Sequence, residues 1–235
     1  MKETKLWING KWKQTNNTYE LKAPYTGEVI AKVSKATVQD VEQAIEGAHA
    51  AFLKFKAVPA YERAEILYKV VEILRKRKNE FASLLADEAG KPLKAGLVEL
   101  ERTIATYQFS AEAAKQSMGE TVPMDAAPGI TNRIGFTKRV PLGVVSAITP
   151  FNFPFNLVAH KLGPALAVGN AVVLKPATQT PLSALAMAEI FKEAGLPDGM
   201  LQIVTGSGEE LSDTLVTHPL VKKVSFTGSG KVGLS

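Results

Sequence analysis

A glycine-rich turn near the end of the chain has the spacing of a phosphate-binding loop. Gly228, Gly230 and Gly233 follow the apolar run that begins at Val224, and they fit the pattern G-x-G-x-x-G. In such a turn the backbone N–H groups at a helix start face a phosphate. Short glycine patterns also arise by chance, so the motif alone leaves a nucleotide site and an ordinary strand-to-helix turn equally open.

An ATPase-type phosphate loop is excluded at the same place. That motif needs a glycine where Ser225 stands and a hydroxyl residue where Val232 stands, and the chain has neither. Ser229 can still add a hydroxyl to the backbone N–H groups of the turn. The chemistry that remains is the binding of a phosphate without ATPase machinery.

The chain contains no cysteine. Disulfides, thiolate metal sites and a cysteine nucleophile are therefore excluded within these residues. The three histidines, His49, His160 and His218, show no metal spacing and no paired nucleophile, so we interpret them as structural and predict no metal site.

Composition and charge favour a globular protein and argue only weakly for an anionic ligand. The net charge of +5 comes from 28 basic and 23 acidic residues spread along the chain, and no aromatic residues interleave with the basic run 75–78. We therefore expect no nucleic-acid partner. The longest apolar run, 165–174, is broken by Gly169 and Asn170 and is too short for a bilayer, so we expect no membrane partner and a cytoplasmic location.

The sequence of the first half of the chain predicts hairpins followed by helices. Asn9-Gly10 and Thr26-Gly27 predict two hairpin turns. Thr37 precedes a helical pattern, and Pro59 opens a second, long helix that continues through Leu85 to a stop at 90–92. A third helix is predicted from Leu93 to about Gln116.

Short strands alternate with helical stretches in the second half, which predicts a parallel sheet. The loops after Thr149, Lys175, Thr205 and Thr227 would then lie together at the carboxyl ends of the strands, where such sheets bind ligands. The predicted fold class is α/β, with a Rossmann-like parallel sheet flanked by helices. We expect N-terminal strands and helices over 1–117, a projecting β-hairpin over 118–141 and a dinucleotide-binding βαβ domain over 142–235.

Several long motifs, in order, resemble the aldehyde dehydrogenase superfamily along nearly the whole chain. They are Pro141-Leu142-Gly143-Val144, Thr149-Pro150-Phe151-Asn152-Phe153-Pro154, Gly163-Pro164-Ala165-Leu166-Ala167 with Gly169-Asn170, Lys175-Pro176, Gly195-Leu196-Pro197 and Phe226-Thr227-Gly228-Ser229. The opening LWINGKW, Gly90-Lys91-Pro92 and the irregular segment 118–141 are also similar to that family's N-terminal portion.

The resemblance implies two groups of site residues. Asn152 would stabilise the oxyanion of the substrate adduct, and Lys161 would help to move protons, with an ordinary surface lysine as the alternative. The implied contacts to NAD or NADP are Thr149, Pro150, Phe151, Lys175, Ala177, Thr178, Gly208, Phe226, Gly228, Ser229, Val232 and Gly233.

Details of the implied cofactor site set further expectations. Lys175 would bind the adenosine ribose, and Ser207 with Glu210 would form a capping box at the start of a helix beside the adenine. Strict NAD enzymes of the family commonly carry a glutamate where this chain has Thr178. Because threonine does not repel a 2′-phosphate, NADP should be tolerated. Arg102 and Tyr107 are further candidate contacts to the substrate, with helix surface as the alternative.

Family members use a cysteine nucleophile and a glutamate base downstream of the Phe-Thr-Gly-Ser motif. The resemblance therefore implies the cofactor-binding half of a larger enzyme, truncated before the catalytic domain, that oxidises a small aldehyde through a thiohemiacetal and a thioester. It also implies a homodimer or homotetramer formed through the 118–141 hairpin.

Two other readings stay open. A standalone, non-catalytic nucleotide-binding or regulatory module would have the same residues, and the sequence does not separate it from the enzyme half. A purely structural domain would make Asn152, Lys175 and Ser229 coincidences.

Overall fold

The structure is a computed structural model that describes residues 2–234. Its strands are β1 (Lys2–Thr4), β2 (Leu6–Ile8), β3 (Lys11–Lys13), β4 (Thr18–Lys22), β5 (Val29–Ser34), β6 (Thr121–Val122), β7 (Gly135–Phe136), β8 (Val144–Ile148), β9 (Ala171–Lys175), β10 (Leu201–Ile203) and β11 (Val221–Phe226). Its α-helices are α1 (Val38–Phe55), α2 (Ala60–Lys76), α3 (Lys78–Ala89), α4 (Leu93–Ala114), α5 (Asn156–Ala167), α6 (Pro181–Glu193), α7 (Gly208–Thr217) and α8 (Gly230–Leu234).

A six-stranded sheet organises the molecule in the order β11-β8-β9-β10-β2-β3. The four strands β8 to β11 are parallel, which confirms the α/β prediction. The hairpin β2–β3 extends this sheet antiparallel to β10, through the pair Ile203 and Trp7. A second sheet, β1-β5-β4, and a two-stranded sheet, β6-β7, complete the strands.

Local sequence explains the first turns and the first helix. Asn9 and Gly10 have φ of 53° and 75°, the left-handed conformation that a two-residue hairpin requires. Thr37 caps α1: its hydroxyl accepts the N–H of Asp40, whose carboxylate accepts the N–H of Thr37 in return. The predicted hairpin turn at Asn9-Gly10 and the predicted helix start at Thr37 are confirmed.

The single long helix predicted from Pro59 to Leu85 is wrong, because the chain breaks at Arg77 into α2 and α3. Arg77 leaves the helical conformation, with φ of −102° and ψ of 16°. The run 75–80 is entirely polar, so it offers no apolar side chain that would hold a continuous helix against the core. Beyond the break, Phe81 and Leu85 return to the core.

The helices cover the sheet and pack around helix α5, most of whose side chains are buried. Helix α1 packs against β8, β9 and β10, while α4 packs against α2, α3 and α5. Helix α4 carries buried side chains along most of its length, among them Leu100, Ile104 and Tyr107. The N-terminal helices therefore support α5, the helix that follows β8.

Segment 118–141 projects apolar side chains into solvent. Its strands β6 and β7 pair antiparallel, and Met118, Ile134, Phe136 and Val140 are exposed. Between residues 2 and 234, no helix is long and apolar enough to cross a membrane.

Candidate functional site at the carboxyl ends of the strands

The order of the parallel strands in the sheet reverses between β8 and β11. A crevice lies at this switch point. The chain runs from β8 through β9 to β10 on one side and then returns to β11 on the other side of β8. Backbone hydrogen bonds join the ends of neighbouring strands. Thr149 N–H, after β8, donates to the carbonyl of Lys175 in β9 at 3.2 Å, and Thr227 N–H, after β11, donates to the carbonyl of Ile148 in β8 at 3.1 Å. Open α/β sheets bind ligands outside the carboxyl ends of strands at such a switch point.

Lys175 ends β9 as a buried ammonium with room for further acceptors. The residue is 5% exposed, and its Nζ donates to the Pro176 carbonyl at 3.3 Å. Burial lowers the pKa of Lys175. A Cβ placed on Gly208 would lie 4.0 Å from Nζ, so the glycine leaves open space beside the charge. An ammonium carries three donors, and these contacts fit hydroxyl acceptors such as those of a ribose.

Thr178 lies on the exposed loop between β9 and α6. Its hydroxyl donates to the Gly206 carbonyl at 3.3 Å, and its own carbonyl accepts the hydroxyl of Tyr19 at 2.9 Å. These two bonds tie the loop to the neighbouring strand end and to β4. Ala177, beside it, is partly buried.

Helix α7 begins at Gly208, beside Lys175, but the predicted capping box does not form. Ser207 occupies the cap position with ψ of 136°, and its side chain makes no capping hydrogen bond. The first N–H groups of α7 are therefore not capped by that side chain. The Ser212 hydroxyl donates to the Gly208 carbonyl within the helix.

Packing explains part of the glycine motif at the carboxyl end. A Cβ on Gly228 would approach the Phe226 ring to 2.4 Å, and one on Gly233 would approach it to 3.1 Å. A side chain at Gly228 would therefore displace the Phe226 ring, and one at Gly233 would crowd it, whether or not a ligand binds. Helix α8 begins at Gly230, and the Ser229 hydroxyl accepts the N–H of Val232 at 3.4 Å.

Asn152 is exposed on the turn that leads from β8 into α5. Its flanking residues Phe151 and Phe153 are exposed too, while Pro150 is half-buried. The Asn152 carbonyl accepts a hydrogen bond from Lys91 Nζ at 2.9 Å. Within residues 2–234, the Asn152 side-chain amide makes no hydrogen bond, so this donor is available to a ligand.

Lys161 is not a surface lysine, so that alternative is wrong. It is 7% exposed, and its Nζ donates to Thr227 Oγ1 at 2.8 Å and to Ser225 Oγ at 3.3 Å. Burial lowers its pKa. The contact joins α5 to the end of β11, at the crevice.

A cavity of about 440 Å³ lies beside the Asn152 turn, between α4 and Phe153. Arg102 lines it, and no ion pair is recorded for this guanidinium in the described part of the chain. Tyr107, one helical turn further, is completely buried, so it neither contacts substrate nor lies on the helix surface. Arg102 alone of the two remains a candidate contact.

Sequence reasoning missed four residues that hold these loops. Lys91 and Glu99 contact the Asn152 turn, Tyr19 contacts Thr178, and Glu88 accepts the N–H groups of Leu182 and Ser183 at the start of α6. Across residues 2–234, no group of acidic, cysteine or histidine side chains could hold a metal ion.

Comparison with known proteins identifies the family. The model of the aldehyde dehydrogenase family matches residues 12–235. A 3-sulfolactaldehyde dehydrogenase of Priestia aryabhattai is 49% identical over 233 residues, which are 99% of this chain and 48% of that protein. The chain spans about half the length of the curated relatives it matches.

Two solved structures are similar over the whole chain. The NADP-dependent glyceraldehyde-3-phosphate dehydrogenase of Bacillus halodurans C-125, complexed with NADP, has a TM-score of 0.96 at 37% identity, covering 100% of this chain and 50% of that one. Aldehyde dehydrogenase 21 of Physcomitrella patens, in complex with its reaction product succinate, has a TM-score of 0.95 at 40% identity, covering 99% and 49%.

Proposed function

Because the chain belongs to the aldehyde dehydrogenase family, we propose that it forms the cofactor-binding part of an NAD(P)-dependent enzyme that oxidises an aldehyde to a carboxylic acid. One observation carries the proposal. The buried Lys175 ammonium, beside Gly208, ends strand β9, and the free amide of Asn152 follows the adjacent parallel strand β8. That arrangement suits a dinucleotide whose adenosine and nicotinamide ends occupy different parts of one crevice.

The residues fit a dinucleotide through their donor chemistry. Lys175 would donate to the ribose hydroxyls, and the uncapped start of α7 at Gly208 would lie beside the adenine. Thr149, Pro150, Phe151 and the turn 226–233 would line the remainder. When bound, the nicotinamide accepts the hydride that the aldehyde carbon loses.

Asn152 and Lys161 would act on the reacting end. The Asn152 amide would donate a hydrogen bond to the oxygen that gains negative charge when a nucleophile adds to the aldehyde. The nucleophile would come from outside these residues, since they contain no cysteine. Lys161, whose lowered pKa makes its neutral form more accessible, would take up or release a proton near Thr227.

Thr178 supports the use of NADP. Its side chain is exposed on the loop next to Lys175 and carries no negative charge that would repel a 2′-phosphate. The similar Bacillus halodurans enzyme is NADP-dependent by name and was solved with NADP. We therefore propose that NADP is used at least as well as NAD.

The substrate is proposed to be a short aldehyde that carries an anionic group. The names of two similar proteins refer to a sulfonate and a phosphate, and the third was solved with its reaction product succinate; all three groups are anionic. In this chain, Arg102 offers a guanidinium with no recorded ion pair in residues 2–234, in the cavity beside Phe153. A guanidinium recognises carboxylate, sulfonate or phosphate oxygens through two parallel hydrogen bonds.

The 118–141 segment is proposed to join subunits into a homodimer or homotetramer. Its exposed apolar side chains, among them Ile134 and Phe136, would be covered in such an assembly.

An assay of the complete enzyme tests the proposal. Succinate semialdehyde with NADP should yield NADPH and succinate, whereas a cationic aldehyde such as betaine aldehyde should react more slowly. Binding of NADP without turnover of any aldehyde would favour a non-catalytic nucleotide-binding module instead.

A further inference from the structure

We infer that Lys91 and Glu99 are positioning residues that fix the backbone of Asn152 and thereby aim its side-chain amide. The inference rests on the proposed function, because it assigns the pair to the oxyanion contact of that reaction. Neither residue would touch the substrate.

Glu99 lies under the turn and holds its far end. Its carboxylate is completely buried. Oε1 accepts two backbone N–H groups, that of Phe155 at 2.9 Å and that of Asn156 at 3.2 Å. These are the first N–H groups of α5, which have no partner within the helix, and a carboxylate there is also favoured by the helix dipole.

Lys91 holds the near end of the same turn. Its ammonium pairs with Oε2 of Glu99 and donates to the Asn152 carbonyl at 2.9 Å. It also lies 4.3 Å from the centre of the Phe153 ring, so a cation–π contact adds to the placement. The lysine side chain is only 15% exposed, which leaves it little freedom to leave these contacts.

The two residues therefore fix Asn152 from both sides. Lys91 holds its carbonyl, and Glu99 holds the N–H groups three and four residues further along. Pro150 restricts the backbone before Asn152 and Pro154 restricts it between the two attachment points, because each proline fixes one φ angle. Side-chain direction follows backbone direction, so the amide of Asn152 has a narrow range of positions.

Stability alone does not explain such a pair. Burying two charges costs desolvation free energy that their attraction only partly returns, so a neutral pair that keeps an acceptor for the N–H groups of Phe155 and Asn156 would serve stability as well or better. The ion pair is directional, however, and its contacts end on the turn that carries Asn152. Misplacing a reacting group by about 1 Å can lower the reaction rate by roughly 100-fold. Precise positioning of Asn152 would avoid this loss.

The experiment compares the double variant Lys91→Met/Glu99→Gln with wild type in the complete enzyme. The glutamine keeps one carbonyl oxygen for the N–H groups of Phe155 and Asn156, and no unpaired charge remains. The hydrogen bond to the Asn152 carbonyl and the cation–π contact with Phe153 are lost without replacement. The matched control is Lys78→Met/Glu101→Gln, which removes a more exposed ion pair, between Lys78 on α3 and Glu101 on α4.

Two measurements are made on each protein. Hydrogen exchange of the peptide covering 151–157 should be faster in the double variant, with 158–167 unchanged. The single-turnover rate of hydride transfer should fall by roughly 10- to 100-fold, with unchanged cofactor affinity and a melting temperature close to that of wild type. The control pair should alter neither exchange nor rate.

Either of two results overturns the inference: unchanged exchange in 151–157, or faster exchange with a wild-type rate of hydride transfer. If the wild-type enzyme oxidises no aldehyde, the proposed function fails, and the exchange measurement still decides whether the pair fixes the turn.

Discussion

Lys161 Nζ donates to Thr227 Oγ1 at 2.8 Å and so joins helix α5 to the end of strand β11. The two residues are 66 positions apart in the chain. Both lie at the point where the strand order reverses, and burial lowers the pKa of the lysine. A buried lysine at this place can exchange a proton with a reacting group at a lower pH than an exposed one.

The pH dependence of the rate tests this role of Lys161. If its neutral form accepts a proton, the single-turnover rate rises with pH through a pKa below 10.5, the ordinary lysine value. Lys161→Met should flatten this limb, because methionine keeps the packing volume without the titrating group. If the rate of the variant still rises with pH as in wild type, the titrating group is a residue other than Lys161.

Glu88 predicts a pH dependence of stability. Burial raises its pKa to about 7 from the ordinary 4.5, despite the hydrogen bonds that it accepts at the start of α6. The folded protein then binds this proton more tightly than the unfolded chain does. Between about pH 4.5 and 7 the free energy of unfolding should fall as pH rises, by at most about 1.4 kcal/mol per pH unit from this group.

Glu88→Gln should remove that contribution, which urea unfolding at several pH values would detect. Glu101→Gln, at an exposed position on α4, is the control and should keep the wild-type slope. Equal slopes in wild type and Glu88→Gln would show that Glu88 is ionised across the whole range.

Thr178→Glu should shift cofactor use from NADP towards NAD. The side chain is exposed next to Lys175, so a carboxylate fits there and repels a 2′-phosphate. We expect kcat/KM for NADP to fall by about tenfold or more, which corresponds to ~1.4 kcal/mol of repulsion. Thr178→Val, which removes the hydroxyl without adding charge, should change it little. A Thr178→Glu enzyme with full NADP activity would place the selectivity elsewhere.

The 235 residues alone should not oxidise aldehydes. They contain no cysteine, and a reaction that proceeds through a covalent intermediate has no route without its nucleophile. Aldehyde-dependent NADPH formation by the purified chain, measured by absorbance, would contradict this expectation.

Local signals account for the parts of the fold that were predicted correctly. Turn residues such as Asn9-Gly10, the cap at Thr37 and the alternation of strands and helices after Val144 are all readable from neighbouring residues. The addition of β2–β3 to the main sheet depends on a pairing of Trp7 with Ile203, which no local pattern encodes.

In the site, too, residues in local motifs were predictable, and residues that act through tertiary contacts were not. Lys175 and Asn152 follow strands and carry motifs, so their positions at the strand ends were predictable. Glu99 and Lys91 act through contacts across 56 and 61 positions in sequence, and the burial that gives Lys161 its lowered pKa arises only from tertiary packing. Sequence patterns place such residues in a helix or at a helix stop without indicating which atoms they contact.

A crossed comparison of Asn152→Ala and Lys175→Met in the complete enzyme tests the central claim most directly. Both the single-turnover rate of NADP reduction and the dissociation constant for NADP are measured. Asn152→Ala should lower the rate by roughly 10²–10³ and leave cofactor affinity nearly unchanged. Lys175→Met should weaken NADP binding by about 10- to 100-fold and largely retain the rate at saturating cofactor. A wild-type rate in the first variant, or wild-type NADP affinity in the second, would contradict the assignment of this crevice to cofactor and oxyanion.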